Sequence, residues 1–302
     1  MEIHRTLYTV SLAAVLAVAP LLVTAARQSP PALPVAQLEA ILGAQGEVSH
    51  GVLGVDPDRS DLHVWGGTAQ VPFAGGFGVH HDLFFTPLPA GRAVFNGDIA
   101  VRPGEIQPAI DAILGHGLEL QGEHQHLYDL RPMIWFLHFR GTGAPLGLAR
   151  AVRAVLDRTG TPLPQQSPAH PTTPLPAAEL GRILHGDATV GGHGVVTVVV
   201  PRADRIVVGG VRVPPELNVS TNVEFEPLAG GLAAALPDFS MTAAEVRPVM
   251  TTLRRAGWEI GCLYNQETAE QPQLYFSHAF ATGDPVALAR EIRAAVAHTA
   301  VP

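Results

Sequence analysis

"PMIWFLHFRGTGAPLGLARAVRAVL", Pro132 to Leu156, returns further along the chain as "PQLYFSHAFATGDPVALAREIRAAV", Pro272 to Val296. The two stretches lie 140 residues apart, and the offset holds without a gap well beyond them. Pro87 matches Pro227, Asp98 matches Asp238, and Glu105 matches Glu245. Gly117 matches Gly257, and His138 matches His278. A constant offset over this length marks an internal duplication. Farther upstream the offset drifts, with "QLEAILG" at Gln37 aligning with "ELGRILH" at Glu179, as loops of unequal length require. The expected organisation is one repeat over residues 35–160 and a second over 176–300. A proline-rich linker, 161–175, joins them in a semi-extended form.

Both repeats read alike. A short amphipathic helix starts near Val35 or Ala177, and β segments such as "GVHHDLFF" and "GVVTVVV" follow. Next comes a helix over Glu105–Leu114, or Glu245–Arg255. Its early Pro108 or Pro248 fits the first turn, where no intrahelical N–H bond is lost. Gly117 and Gly257 suit left-handed caps at its end. Two strands, 118–127 and 132–140, then make a hairpin, and a last helix starts at Pro145 or Pro285. Asp284 is a good N-cap for that helix in repeat 2. The expected class is α+β: two tandem homologous repeats, each a largely antiparallel sheet with helices packed on one face.

Composition bounds the function. The chain has 302 residues, 47% hydrophobic and 15% charged, enough for two small cores. A formal net charge of -8 and the lack of basic clusters exclude a phosphate-binding surface, so no nucleic-acid partner is expected. Cys262 is the one cysteine, which excludes an intramolecular disulfide and a thiolate zinc site. The N-terminus has a short head carrying Arg5, an apolar stretch from Leu7 to Val23, and small residues around Val23-Thr24-Ala25. This pattern predicts a secretory signal over residues 1–25 and an exported mature chain, in the periplasm, the envelope or the medium. The alternative is an uncleaved anchor; Pro20 and the shortness of the stretch favour cleavage. No cysteine follows it to carry a lipid, and no later segment predicts a membrane span.

The segments "GLELQGEHQH" (Gly117 to His126), Pro132, "WFLHF" and "GTGAP", with "ATGDPVALAR" in repeat 2, resemble the LppY/LpqO family, a bacterial domain found largely in exported proteins. The resemblance covers both repeats. It implies a histidine–any–histidine element followed by a strand ending in His, and it brings no established activity with it. Repeat 2 departs from the pattern, since Tyr264 and Gln266 stand where repeat 1 has His124 and His126.

His124 and His126 are two apart on a predicted strand, so both side chains point to one face and can share a metal ion. His138, on the partner strand, is the candidate third ligand. A hairpin turning symmetrically about Asp129–Leu130 sets His138 opposite Gln121, facing away. A bulge or an asymmetric turn sets it on the His124 face. His80 and His81 lie on opposite faces of another predicted strand, so one of them can face the site. These five histidines are the candidate metal ligands, set against a reading as polar residues of a sheet face. An imidazole set suits a divalent metal, zinc or copper first. The ion is expected to be confined to repeat 1, with His278 outside it. Three imidazoles and an open position would permit metal-dependent hydrolysis, with Glu119 or Glu123 as base. The other reading is a non-catalytic module that binds a protein, a glycan or a small ligand of the envelope. Asp98 and Asp238 recur in both repeats and read as structural charges. No nucleotide or hydrolase motif is present.

Overall fold

The structure, a computed structural model, describes residues 32–166, 170–208, 210–266 and 268–302. The expected secretory segment, 1–25, lies outside the described residues. Each repeat builds a six-stranded antiparallel sheet with the same strand order. In repeat 1 the order is Glu47–Ser49, Val52–Val55, Asp82–Leu88, Arg92–Val101, Trp135–Gly143, Glu119–His124. In repeat 2 it is Asp187–Val190, Val196–Val200, Thr221–Pro227, Ala233–Thr242, Leu274–Gly283, Glu259–Ile260. Three helices cover one face of each sheet: Val35–Leu42, Ile106–Gly115 and Pro145–Leu156, then Ala177–Leu184, Ala243–Arg255 and Pro285–Val296. The fold class is therefore α+β in two tandem copies. Among the described residues no helix is long and apolar enough to cross a membrane.

Local chemistry explains the helix ends. Asp284 accepts a hydrogen bond from the Ala287 N–H at 2.8 Å, with Pro285 in the first turn. Thr242 and Glu245 form a capping box ahead of the Ala243–Arg255 helix. Gly117 and Gly257 take φ of 71° and 90°, the left-handed conformation expected after their helices. The proline-rich segment read as a semi-extended linker is anchored at its start. Gln165 pairs with Ala44, and its side chain accepts from the Asp58 N–H at 2.8 Å.

Alternation along the central strands gives each sheet two apolar faces. On Arg92–Val101, Ala93, Phe95 and Ile99 join the core under the helices, while Val94 and Ala100 point the other way. The second face of each sheet is covered by the other repeat. Phe73, Phe77 and Leu130 of repeat 1 pack on Ala234, Leu236 and Phe280 of repeat 2. Ile206, Val208 and Leu217 of repeat 2 pack reciprocally near Val52 and Val94 of repeat 1. The two repeats thus form one pseudo-symmetric body.

Polar groups seal the assembly. The Ala74 N–H donates to Glu226 Oε1 at 2.8 Å and the Gly78 N–H to Glu224 Oε2 at 2.6 Å, both across the repeat boundary. Within each repeat a buried arginine bridges two acids. Arg59 meets Asp61 at 2.8 Å and Glu105 at 2.9 Å, while Arg202 meets Asp204 and Glu245 at the same distances. Each guanidinium also donates to a strand carbonyl, Ala100 O at 2.6 Å or Ser240 O at 2.7 Å.

Two outcomes are expected. Glu105→Ala strips Arg59 of one buried partner and should cost about 3 kcal/mol or more in denaturant unfolding. Burial raises the Glu226 carboxyl from 4.5 to about 7. Between those values the folded chain binds more protons here than the unfolded chain, so this contribution to stability falls as pH rises through the window and then levels off. Glu226→Gln keeps the acceptor for the Ala74 N–H and cannot ionise. It should match the wild type near pH 5 and melt higher at pH 8; equal melting at both pH values would refute the assignment.

Candidate functional site

The two strands of the repeat 1 hairpin decide where the histidines go. Leu120 pairs with Phe139, yet Gly122 pairs with His138 and His124 with Phe136. A β-bulge at Gln121 shifts the register by one residue between these pairs. The shift puts His138 and His124 on the same face, so the asymmetric alternative is the one the chain adopts. Gln121 also accepts from the Thr268 N–H of repeat 2 at 2.7 Å, which ties the bulge to the repeat boundary. His126 lies just past the end of this strand, Glu119–His124, in a loop. Across the boundary, a side chain at Gly261 would run into the His126 carbonyl oxygen, so only glycine allows this approach.

All of these groups face the other repeat. His138 lies beside Asp98, its cross-strand partner, which in turn lies beside Asp82. In repeat 2 the corresponding row is His278, Asp238 and Asn222. The rows meet between the sheets. His124, His126 and His278 converge there, with one ligand atom of each within 4.8 Å of the others. His126 stacks on His278 at 3.7 Å between ring centres and on Phe136 at 3.4 Å. His124 stacks on Tyr264 at 3.6 Å, and His138 lies 5.0 Å from His124. The site is therefore shared by both repeats, and His278, expected outside it, belongs to it.

Protonation suits metal ligation. Burial, then the neighbouring imidazoles His138 and His278, hold His124 well below its ordinary value. Burial and His278 do the same to His126. Burial takes both His138 and His278 down to about 3. All four are neutral at physiological pH, the form that can donate a lone pair. His126 Nδ1–H donates to the Gly78 carbonyl at 2.9 Å, which leaves Nε2 for an ion. His278 Nδ1 lies 3.3 Å from Cys262 Sγ and 3.8 Å from Asp238, second partners that orient the ring. Both nitrogens of His124 are buried with no hydrogen-bond partner, and so is His138 Nε2.

His126 and His278 also line a small cavity of about 40 Å³, together with His80, Tyr264 and the carboxylates of Asp82, Asp98, Glu224 and Asp238. Such a volume holds a few waters or an ion. His80 sits between acids, its Nε2 3.2 Å from Asp82 and 3.5 Å from Glu224. Burial alone would lower it, but Asp82 and Glu224 overcome that and raise it well above its ordinary value. His81 points the other way. It accepts from the Ala100 N–H at 3.1 Å and donates to Thr161 Oγ1 at 2.6 Å, so both nitrogens are engaged within the fold of repeat 1.

The carboxylates depart from expectation too. Asp98 and Asp238, read as structural charges, line the cavity. Burial, then Asp82, raises Asp98 well above the carboxylate range. Burial raises Asp238 likewise. Glu119 and Glu123 are exposed, and Glu119 pairs with Arg140 at 2.7 Å. Glu123 pairs with Leu137 of the helix-side core and so faces away from His124, whereas Glu119 lies opposite Arg140 on the His138 face and is engaged there by that ion pair.

The family described as a Domain of Unknown Function (DUF1259) matches residues 36–158 and again residues 178–298, one match per repeat. The chain belongs to that family. Its description names no reaction, so the geometry above is what speaks to activity. No curated protein matches the chain. Among solved structures, the crystal structure of a trimeric bacterial microcompartment shell protein PduB aligns over 84% of this chain and 89% of that one, with 13% identity and a TM-score of 0.20. A similarity that low carries no functional argument.

Proposed function

We propose that this protein is an exported, LppY/LpqO-like member of its family that binds one transition-metal ion, zinc or copper, between its two repeats. One observation carries the reading. His124 is buried with both ring nitrogens unpartnered, and it converges with His126 and His278. A buried polar atom without a partner is uncommon in native proteins and points to an absent one. Neutral imidazoles backed by oriented second partners make a donor set for a borderline ion. His138, 5.0 Å from His124 between ring centres, stands beside the triad as a further donor. Export rests on the Arg5 head and the Leu7–Val23 stretch. N-terminal sequencing of protein recovered outside the cytoplasm should start near Ala26; recovery of Met1 would overturn cleavage.

Metal content tests the centre. Wild type reconstituted with zinc or copper should hold one ion per chain by elemental analysis. The double change His124→Ala, His126→Ala should abolish binding while the far-ultraviolet circular dichroism is retained. His278→Ala should abolish it too, because the triad draws on both repeats. Affinity should fall as pH drops, since protons compete for the imidazole lone pairs. Equal metal content in all three proteins, or none in the wild type, would remove the centre and promote the reading as a metal-free envelope binding module.

A further inference from the structure

Beside the imidazoles the cavity changes character. Asp82 and Asp98 are direct cross-strand partners on the face between the repeats. Like charges directly opposite each other destabilise a sheet, the more so when buried. Glu224 and Asp238 reach the same cavity from repeat 2, and no lysine or arginine lines it. The ionisable nitrogen placed to offset this charge is His80, already held between Asp82 and Glu224. A second and separate observation comes from His138. Its side chain is 4% exposed, and Nε2 has no hydrogen-bond partner and lies 3.6 Å from Asp98 Oδ2. An unpartnered buried nitrogen thus lies against Asp98, one of these acids.

Duplication shows that this grouping is not required by the fold. At the position of Asp82 repeat 2 carries Asn222, at His80 it carries Ser220, and at Glu224 repeat 1 carries Phe84. Each repeat builds the same sheet without the other's group. Repeat 1 keeps Asp82 and His80, repeat 2 supplies Glu224, and all three gather at one side of the pseudo-symmetric interface.

We infer that this chamber is a second cation site, taking a hard divalent ion such as Mn²⁺ or Mg²⁺ through the carboxylates of Asp82, Asp98, Glu224 and Asp238. The donors are oxygens, which suit hard ions, whereas the neighbouring triad is all nitrogen. The acids surround the cavity rather than converging on a point. A small hard cation that keeps several waters and takes one or two direct carboxylate bonds fits such a space. The site goes beyond the imidazole reading; because His126 and His278 line the same cavity the two centres are adjacent, and they are told apart by the ion each prefers.

Electron paramagnetic resonance of free Mn²⁺ tests it on the full chain, with and without one equivalent of Zn²⁺. The protein should remove one Mn²⁺ per chain from the free signal, and the Zn²⁺-bearing protein should do the same. Asp82→Asn copies the residue that repeat 2 already tolerates at this position, and Glu224→Gln is close to isosteric. Each should weaken Mn²⁺ binding at least tenfold and leave Zn²⁺ stoichiometry unchanged. Uptake of Mn²⁺ without any uptake of Zn²⁺ would support the chamber and refute the imidazole centre. An undiminished Mn²⁺ signal at millimolar metal would overturn the site. So would variants that titrate like the wild type, or Mn²⁺ that expels the Zn²⁺.

Discussion

Each sheet in this protein is apolar on both faces, and its own helices cover one of them. The second face must be taken out of water by something else, and the other repeat does it. Phe77 of repeat 1 is fully buried in the cluster that contains Leu236 and Phe280 of repeat 2. Leu217 and Val219 of repeat 2 are buried reciprocally beside Val94. At about 1.5–3 kcal/mol for each large side chain buried, a handful of such residues outweighs a surface salt bridge many times over. The repeats therefore complete each other rather than merely adjoin. The arrangement also sets the chemistry: the polar rows through Asp98–His138 and Asp238–His278 are enclosed because the apolar clusters flank them. Burial then keeps the imidazoles neutral and makes ionised carboxylates costly.

The fold was legible because duplication shows in spacing. One offset, carried by Gly117, His138 and Pro145 with their counterparts, aligns the last two helices and the central strands of the two repeats. The site was legible only in part. His124 and His126 announce themselves by spacing, and the bulge that brings His138 beside them was one of two stated registers. The bulged residue makes a tertiary contact, Gln121 with Thr268 of the other repeat, which no local pattern encodes. His278 is not legible as part of the cluster because each repeat reads as a separate unit, whereas the imidazoles converge between them. Asp98 and Asp238 were assigned to the fold on the ground that they recur. Recurrence in a duplicated chain is equally what two halves of one interface require. The Arg59 and Arg202 networks escaped notice because they lie upstream, where the offset drifts.

Pseudo-symmetry explains why one triad exists and not two. Exchange of the repeats maps His124 onto Tyr264, His126 onto Gln266 and His278 onto His138. The His124–Tyr264 ring pair, stacked at 3.6 Å with 9° between planes, lies on the exchange axis. The image of the triad is therefore Tyr264, Gln266 and His138, and it keeps a single imidazole. Its other members make structural contacts. Gln266 donates to the Asn218 carbonyl, and the Tyr264 hydroxyl donates to Asp238 Oδ2 at 3.3 Å. That last bond matters for the surviving triad, because Asp238 is also the carboxylate beside His278 Nδ1. Tyr264 thus packs against one imidazole of the triad through its ring and steadies the partner of another through its hydroxyl. A histidine there could stack in the same place but would leave Asp238 without the phenol. The pseudo-symmetric interface therefore has unequal halves: one side carries the imidazole triad, and the other carries the ring and hydroxyl that pack against it and hold Asp238.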